Sequence, residues 1–244
     1  MKTSPEKLMP LIEEIINMER KAKELYEDYL KRIENKSVVK NLTRILTDEK
    51  KHIELATQVR GLLKHGPAYS RIEEALRIFC KTTSLLIDCG IKNYLKMNLI
   101  VLKDLVNERG LNCLYVAVNK PSSSLTETFL REDIEINRFT FIDCTAMNVS
   151  GDIHLSAKPD NLTDLNMKIG RLVEKTPGEK FVFLDAVSTL YIFNSANDVE
   201  RFVHYLVSSS KLKKTGLILV AVREEIEKRS MAMLTTFCDD KIDI

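Results

Sequence analysis

Residues 181–185 read Phe-Val-Phe-Leu-Asp, four apolar side chains closed by an acid. A run this short, with no polar alternation, fits a strand buried on both faces. Comparable runs occur at Ser84–Asp88, Cys113–Val118, Phe139–Cys144, Leu217–Val222 and, at the end, Lys241–Ile244. Helical patterns lie between them, near 94–109, 123–132, 162–175, 197–213 and 224–236. Such alternation predicts a mostly parallel sheet covered by helices across residues 81–244.

The chain ahead of this region has a different period. From residue 5 to about 34, Leu8, Leu11, Ile12, Ile15, Ala22, Tyr26, Tyr29, Leu30 and Ile33 recur at helical spacing, with Ser4 placed to cap and Pro5 at the first helical position. Asn35-Lys36 reads as a turn and Ser37 as the next cap. A second stripe follows: Val38, Leu42, Ile45, Leu46, Ile53, Ala56, Val59 and Leu63, ended by Gly66-Pro67. Each helix would be roughly 40 Å long. Two such helices alone leave one apolar side open, and a four-helix bundle closes it. The expected layout is an α+β two-part chain: a long helical hairpin over 1–66, a linker helix within 67–80, and an α/β domain over 81–244.

Charges interrupt both stripes. Glu19 falls between Ile15 and Ala22, while Glu49 and His52 fill the gap between Leu46 and Ile53. Moving an ionised carboxylate out of water costs several kcal/mol even after relaxation. The group escapes that cost at a solvated edge, by taking up a proton, or by binding a cation. Residues three apart project from one helical face, so Glu49 and His52 point together. A mixed carboxylate and imidazole shell suits divalent iron or manganese. The competing possibility is a plain dimerisation hairpin that binds no metal.

With those residues in view, positions 8–63 resemble the first helix pair of the ferritin-like group, rubrerythrin in particular. Glu19, Tyr26 seven residues later, and the Glu49-x-x-His52 step one helix on are what match. The resemblance implies Glu19 as a terminal ligand, Glu49 as a bridging ligand, His52 completing one metal, and Tyr26 as a neighbour of the site. A complete domain of that group has four helices, and no second Glu-x-x-His occurs in this chain. Two copies would supply the full set for two metals, so the implied assembly is a homodimer through residues 5–64 with iron or manganese at its axis.

Strand 84–88 leads into Gly90-Ile-Lys-Asn-Tyr-Leu95-Lys96-Met97. A phosphate-binding loop has the form G-x-x-x-x-G-K-[ST]. Gly90 and Lys96 keep the register, but Leu95 replaces the second glycine and Met97 the hydroxyl that would hold magnesium. Phe181–Asp185 has the form of the acid-terminated strand that faces such a loop. With Leu114-Tyr-Val-Ala-Val and Phe141-Ile-Asp-Cys144, residues 81–244 resemble the KaiC-like branch of the RecA superfamily, and most of all its archaeal members that have lost the phosphate loop. That resemblance implies ATP hydrolysis, yet the acid expected after the second strand is also missing, at Asn119-Lys120-Pro121. Gly90, Lys96 and Asp185 are therefore candidates for a degenerate nucleotide site, and ATP is not expected.

Composition narrows the remaining classes. The net charge of +2 over 244 residues offers no broad basic field, so nucleic acid is not expected as a partner. No apolar run is long enough to span a bilayer, and the start of the chain lacks a signal-peptide core. The five cysteines show no Cys-x-x-Cys pairing and fit reduced thiols in a cytoplasmic protein. The leading expectation is a non-catalytic regulatory or scaffolding protein, with an unidentified protein partner. The alternatives are a di-iron oxidase or peroxidase and a nucleotide-binding module.

Overall fold

A computed structural model describes residues 5–145 and 154–244. The chain divides into two compact units, the first ending at Glu73 and the second starting at Glu74.

The first unit is a helical hairpin. α1 spans Pro5–Leu30 and α2 spans Lys36–His65. Pro5 opens α1 as expected; Ser4 lies outside the described residues. α1 stops at Leu30, short of the expected 34, and leaves Ile33 in the connection. Asn35, not Ser37, caps α2. Its side-chain oxygen accepts from the backbone N–H groups of Ser37 at 3.0 Å and Val38 at 3.3 Å, two donors that have no partner within the helix. Gly66 ends α2 at φ +70°, where glycine is free of the Cβ penalty, and its N–H bonds the carbonyl of Leu62 at 2.9 Å. α3 (Pro67–Ile78) follows at once, within the 67–80 stretch where a linker helix is expected.

The second unit begins within α3 and continues with β1 (Ser84–Cys89), α4 (Tyr94–Leu102), β2 (Asn112–Ala117), α5 (Ser122–Arg131) and β3 (Phe139–Asp143). A short β4 (His154–Ser156), α6 (Leu162–Lys175), β5 (Lys180–Asp185), α7 (Val187–Phe193) and α8 (Ala196–Leu212) come next, then β6 (Gly216–Val222), α9 (Lys228–Phe237) and β7 (Asp240–Asp243). The sheet order is β4-β3-β2-β5-β6-β1-β7, and every pairing is parallel. The expected parallel sheet with helical cover is thus present. Sequence patterning missed β4, too short to form an apolar run, and α7, whose residues follow β5 with almost no break.

Alternation along the strands sorts the side chains by type. Leu114, Val116, Ile142, Val182, Leu184, Leu217 and Leu219 form an aliphatic layer with residues of α6, α7, α8 and α9. On the other face β2, β3 and β5 carry aromatic side chains. Tyr115 stacks on Phe183 at 5.1 Å between ring centres and meets Phe129 of α5 edge-on at 5.5 Å; Phe139 and Phe141 stack beside them. Such ring pairs add about 0.5–1.5 kcal/mol each beyond the area they bury. Gly216 starts β6 because Phe79 lies against it: a Cβ there would sit 2.6 Å from the Phe79 ring.

β7 pairs with β1 through charge as well as backbone. The buried Asp88 carboxylate accepts from Arg223 Nε at 2.9 Å and from Lys241 Nζ at 2.8 Å. No helix among the described residues is long and apolar enough to cross a membrane.

Candidate functional site

The helical period of α1 and α2 brings three of the expected residues to one point. Glu19 comes from α1; Glu49 and His52 come from one face of α2. One ligand atom from each lies within 4.8 Å of the others. His52 Nδ1 is 3.5 Å from Glu19 Oε1 and 3.7 Å from Glu49 Oε2. The side chains of Glu49 and Glu19 are 15% and 25% exposed, whereas that of His52 is 56% exposed. A hydrogen bond with the Glu19 carboxyl, followed by burial and the Glu19 charge, raises the Glu49 pKa above its ordinary value; His52 opposes the shift. Two carboxylates this close compete for a proton or share a cation. Tyr26, two turns along α1, is half-buried and makes no hydrogen bond among the described residues.

The cluster sits near the middle of both helices, with exposed apolar side chains on either side of it. On α1 these are Leu11, Ile15 and Met18 before it, and Leu25 and Tyr29 beyond it. On α2 they are Val38 and Ile45, then Leu55, Val59 and Leu62. Lys23 and Lys50 each lie 4.0 Å from Glu27 on the partly exposed surface, where such pairs contribute little.

The carboxyl edge of the sheet is where open α/β folds admit ligands, in crevices between strands whose following helices leave to opposite faces. Here the chain's own side chains bridge those crevices. Between β2 and β5, Asp185 is 1% exposed. One of its oxygens accepts from the hydroxyl of Tyr94 and from Asn98 Nδ2 at 3.1 Å; the other accepts from the hydroxyl of Tyr115. Asn119 Nδ2 donates to the Tyr94 hydroxyl at 3.1 Å, and Thr189 donates to the Asn119 carbonyl oxygen. Burial pushes the Asp185 pKa up, and the hydrogen bonds from Tyr115, Tyr94 and Asn98 pull it back. Burial and the Asp185 charge raise both tyrosines far enough to keep them hydrogen-bond donors.

Between β1 and β6, the loop after β1 is closed in the same way. Gly90 N–H donates to the carbonyl of Ile244 at 3.0 Å, and Asn93 N–H turns back to the Gly90 carbonyl at 2.9 Å. Ile91 N–H donates to the Glu224 carboxylate at 3.1 Å. An internal carboxylate thus occupies one N–H of this loop. Lys96 is exposed on α4. Because Tyr94 and Asn98 turn toward Asp185, Lys96 projects from the other side of the helix.

Glu19, Glu49 and His52 are therefore gathered into one cluster, whereas Gly90 bonds Ile244 and Asn93, Asp185 bonds Tyr94, Tyr115 and Asn98, and Lys96 is exposed on α4. Sequence patterning missed Tyr94, Tyr115, Asn98, Asn119, Thr189 and Glu224. Tyr94 carried the best signal, being a bulky aromatic inside the degenerate loop motif.

The chain is similar to the crystal structure of a KaiC-like protein from the hyperthermophilic archaeon Pyrococcus horikoshii OT3, with 11% identity and a TM-score of 0.47; the match covers 66% of this chain and 71% of that one. No protein-family model matches the chain, and neither does any curated protein.

Proposed function

We propose that the hairpin is half of a two-metal centre, completed when two copies pair, and that the α/β unit is a nucleotide-silent body carrying it in a regulatory or scaffolding role. The observation that carries the proposal is the convergence of Glu19, Glu49 and His52 within 4.8 Å. Two carboxylates and one imidazole fit iron or manganese in charge and in ligand type. Three donors per copy leave coordination positions that a second set would fill. A cluster midway along both helices, flanked by exposed apolar residues on either side, allows a twofold mate to align its own cluster while the remaining length of each helix buries apolar surface.

Glu19, Glu49 and His52 would hold the metal, and a bound divalent ion would neutralise the carboxylates. The filled crevices at Asp185 and Gly90 support an α/β unit that does not hydrolyse ATP.

The test is metal analysis of the purified chain together with light scattering. About two equivalents of iron or manganese per dimer, lost in Glu19→Ala and His52→Ala, are expected. A monomer at micromolar concentration with a helical hairpin, or metal retained by both variants, refutes the centre. Titration with ATP and magnesium should release no heat.

A further inference from the structure

His52 has a second position besides its place in the cluster. Val38, Ile45, His52 and Val59 stand seven residues apart on α2, and all four are exposed. Residues at that spacing form one line along a helix that packs in a bundle. The line is roughly 30 Å long and apolar except at His52. Leu55 and Leu62, three residues after His52 and Val59, are exposed too and widen its second half. α1 carries an exposed line of its own. Leu11, Ile15, Met18, Leu25 and Tyr29, with Ala22 filling the series, advance by alternating steps of four and three. Such steps make a seam that another helix covers. The seam is distinct from the packing inside the hairpin: Ile16, which is buried, and Glu19, which reaches His52, each fall one residue later.

Exposed apolar surface of this extent marks an interaction site, and its occupant has to answer His52 and the two carboxylates behind it. An apolar partner would bury those groups without compensation. A second copy aligned on His52 brings an equal donor set, and a lone polar residue in a seam is what fixes register. The same alignment makes pairing conditional. Without an ion, two copies bring four carboxylates to one axis, where their repulsion opposes the apolar contact. Resting on the two-metal reading above, we infer that the hairpin is an ion-gated dimerisation element. The seam supplies the attraction, Glu19 and Glu49 oppose it, and iron or manganese removes that opposition. Linkage makes the coupling reciprocal: the ion favours the dimer by the factor by which the dimer favours the ion.

The test is sedimentation equilibrium of the full chain, stripped with EDTA and dialysed, then titrated with manganese. The stripped chain should be monomeric at low micromolar concentration. Manganese at about a hundred times its dissociation constant should lower the dimer dissociation constant about a hundredfold or more. Circular dichroism should report equal helix content in both states. The double variant Glu19→Gln, Glu49→Gln should dimerise in EDTA and ignore manganese. Ile45→Lys and Val59→Lys should each weaken the manganese-loaded dimer, while Leu212→Lys on the exposed end of α8 should leave it unchanged. A stripped chain that stays dimeric yet takes up about two manganese ions per dimer overturns the gating and leaves the metal centre standing, whereas a chain that takes up no manganese loses both. A double variant that is monomeric in EDTA, or a loaded dimer indifferent to both lysine variants on α2, also overturns the inference.

Discussion

Replacing Glu19 with glutamine should stabilise the metal-free hairpin while removing its response to metal. Two unit charges 4.8 Å apart repel by about 0.9 kcal/mol in bulk water and about 3.5 kcal/mol at an effective dielectric constant of 20. The cluster is partly solvated and His52 stands beside it, so the lower end applies, about 1 kcal/mol. The amide of a glutamine can donate to the Glu49 carboxylate, which replaces repulsion with a hydrogen bond. The effect has a pH signature. The Glu49 pKa is raised, chiefly by its hydrogen bond with Glu19. Its contribution to stability is therefore complete below the unfolded value of about 4.3 and is lost as pH rises through the folded value. Wild type should weaken over that window, and the advantage of Glu19→Gln should grow across it to a plateau near neutrality. Urea unfolding of the full chain, followed by helical circular dichroism in EDTA at pH 5 and pH 8, measures this directly. Adding manganese should reverse the order, since an ion at a hundred times its dissociation constant adds about 2.7 kcal/mol to wild type alone. A variant less stable than wild type in EDTA at pH 8 would show that the carboxylates are already satisfied without an ion, and the reasoning would fail.

Tyr94→Phe and Tyr115→Phe should each destabilise the second unit by about 2 kcal/mol, because each removes a donor from the buried Asp185 carboxylate; chemical denaturation measures both. Asp88→Ala should cost about 1–2 kcal/mol by removing the buried acceptor that Arg223 and Lys241 share, both cations keeping Asp243 as a partner; it is read as a lower calorimetric melting point for the sheet. Cys80 is exposed, and hydrogen bonds from Thr82 and then Thr83 bring its pKa down to about 7. Its alkylation rate should rise with pH to a midpoint near 7, and Thr82→Val should move that midpoint up. Cys89, Cys113 and Cys144 are buried and should react only after unfolding.

Much of the architecture could be read from hydrophobic period alone. The six apolar runs are all strands because a parallel sheet buries both faces and leaves a run with no polar interruption. The cluster of Glu19, Glu49 and His52 was legible for the opposite reason: these residues break a stripe that the helical period says should be apolar. The lacing of Asp185 was not legible. Tyr94 and Tyr115 sit in apolar surroundings where they pass for core, and they reach Asp185 across 91 and 70 residues of chain. Local pattern carries no information about such a hydroxyl's partner. The cap of α2 was misjudged by two positions because serine and asparagine are almost equivalent there, and the geometry of the preceding turn decides between them.

The plugging of both crevices bears on how hard it would be to give this domain a nucleotide. Introducing the phosphate-loop pattern at two positions, Leu95→Gly and Met97→Thr, would loosen the loop yet leave Glu224 seated on its backbone and Asp185 capped by two phenols. A functional site would have to evict its present occupants before it could admit a guest. The route therefore passes through several simultaneous substitutions, and a designer should start by emptying Tyr94 and Glu224 before building any motif.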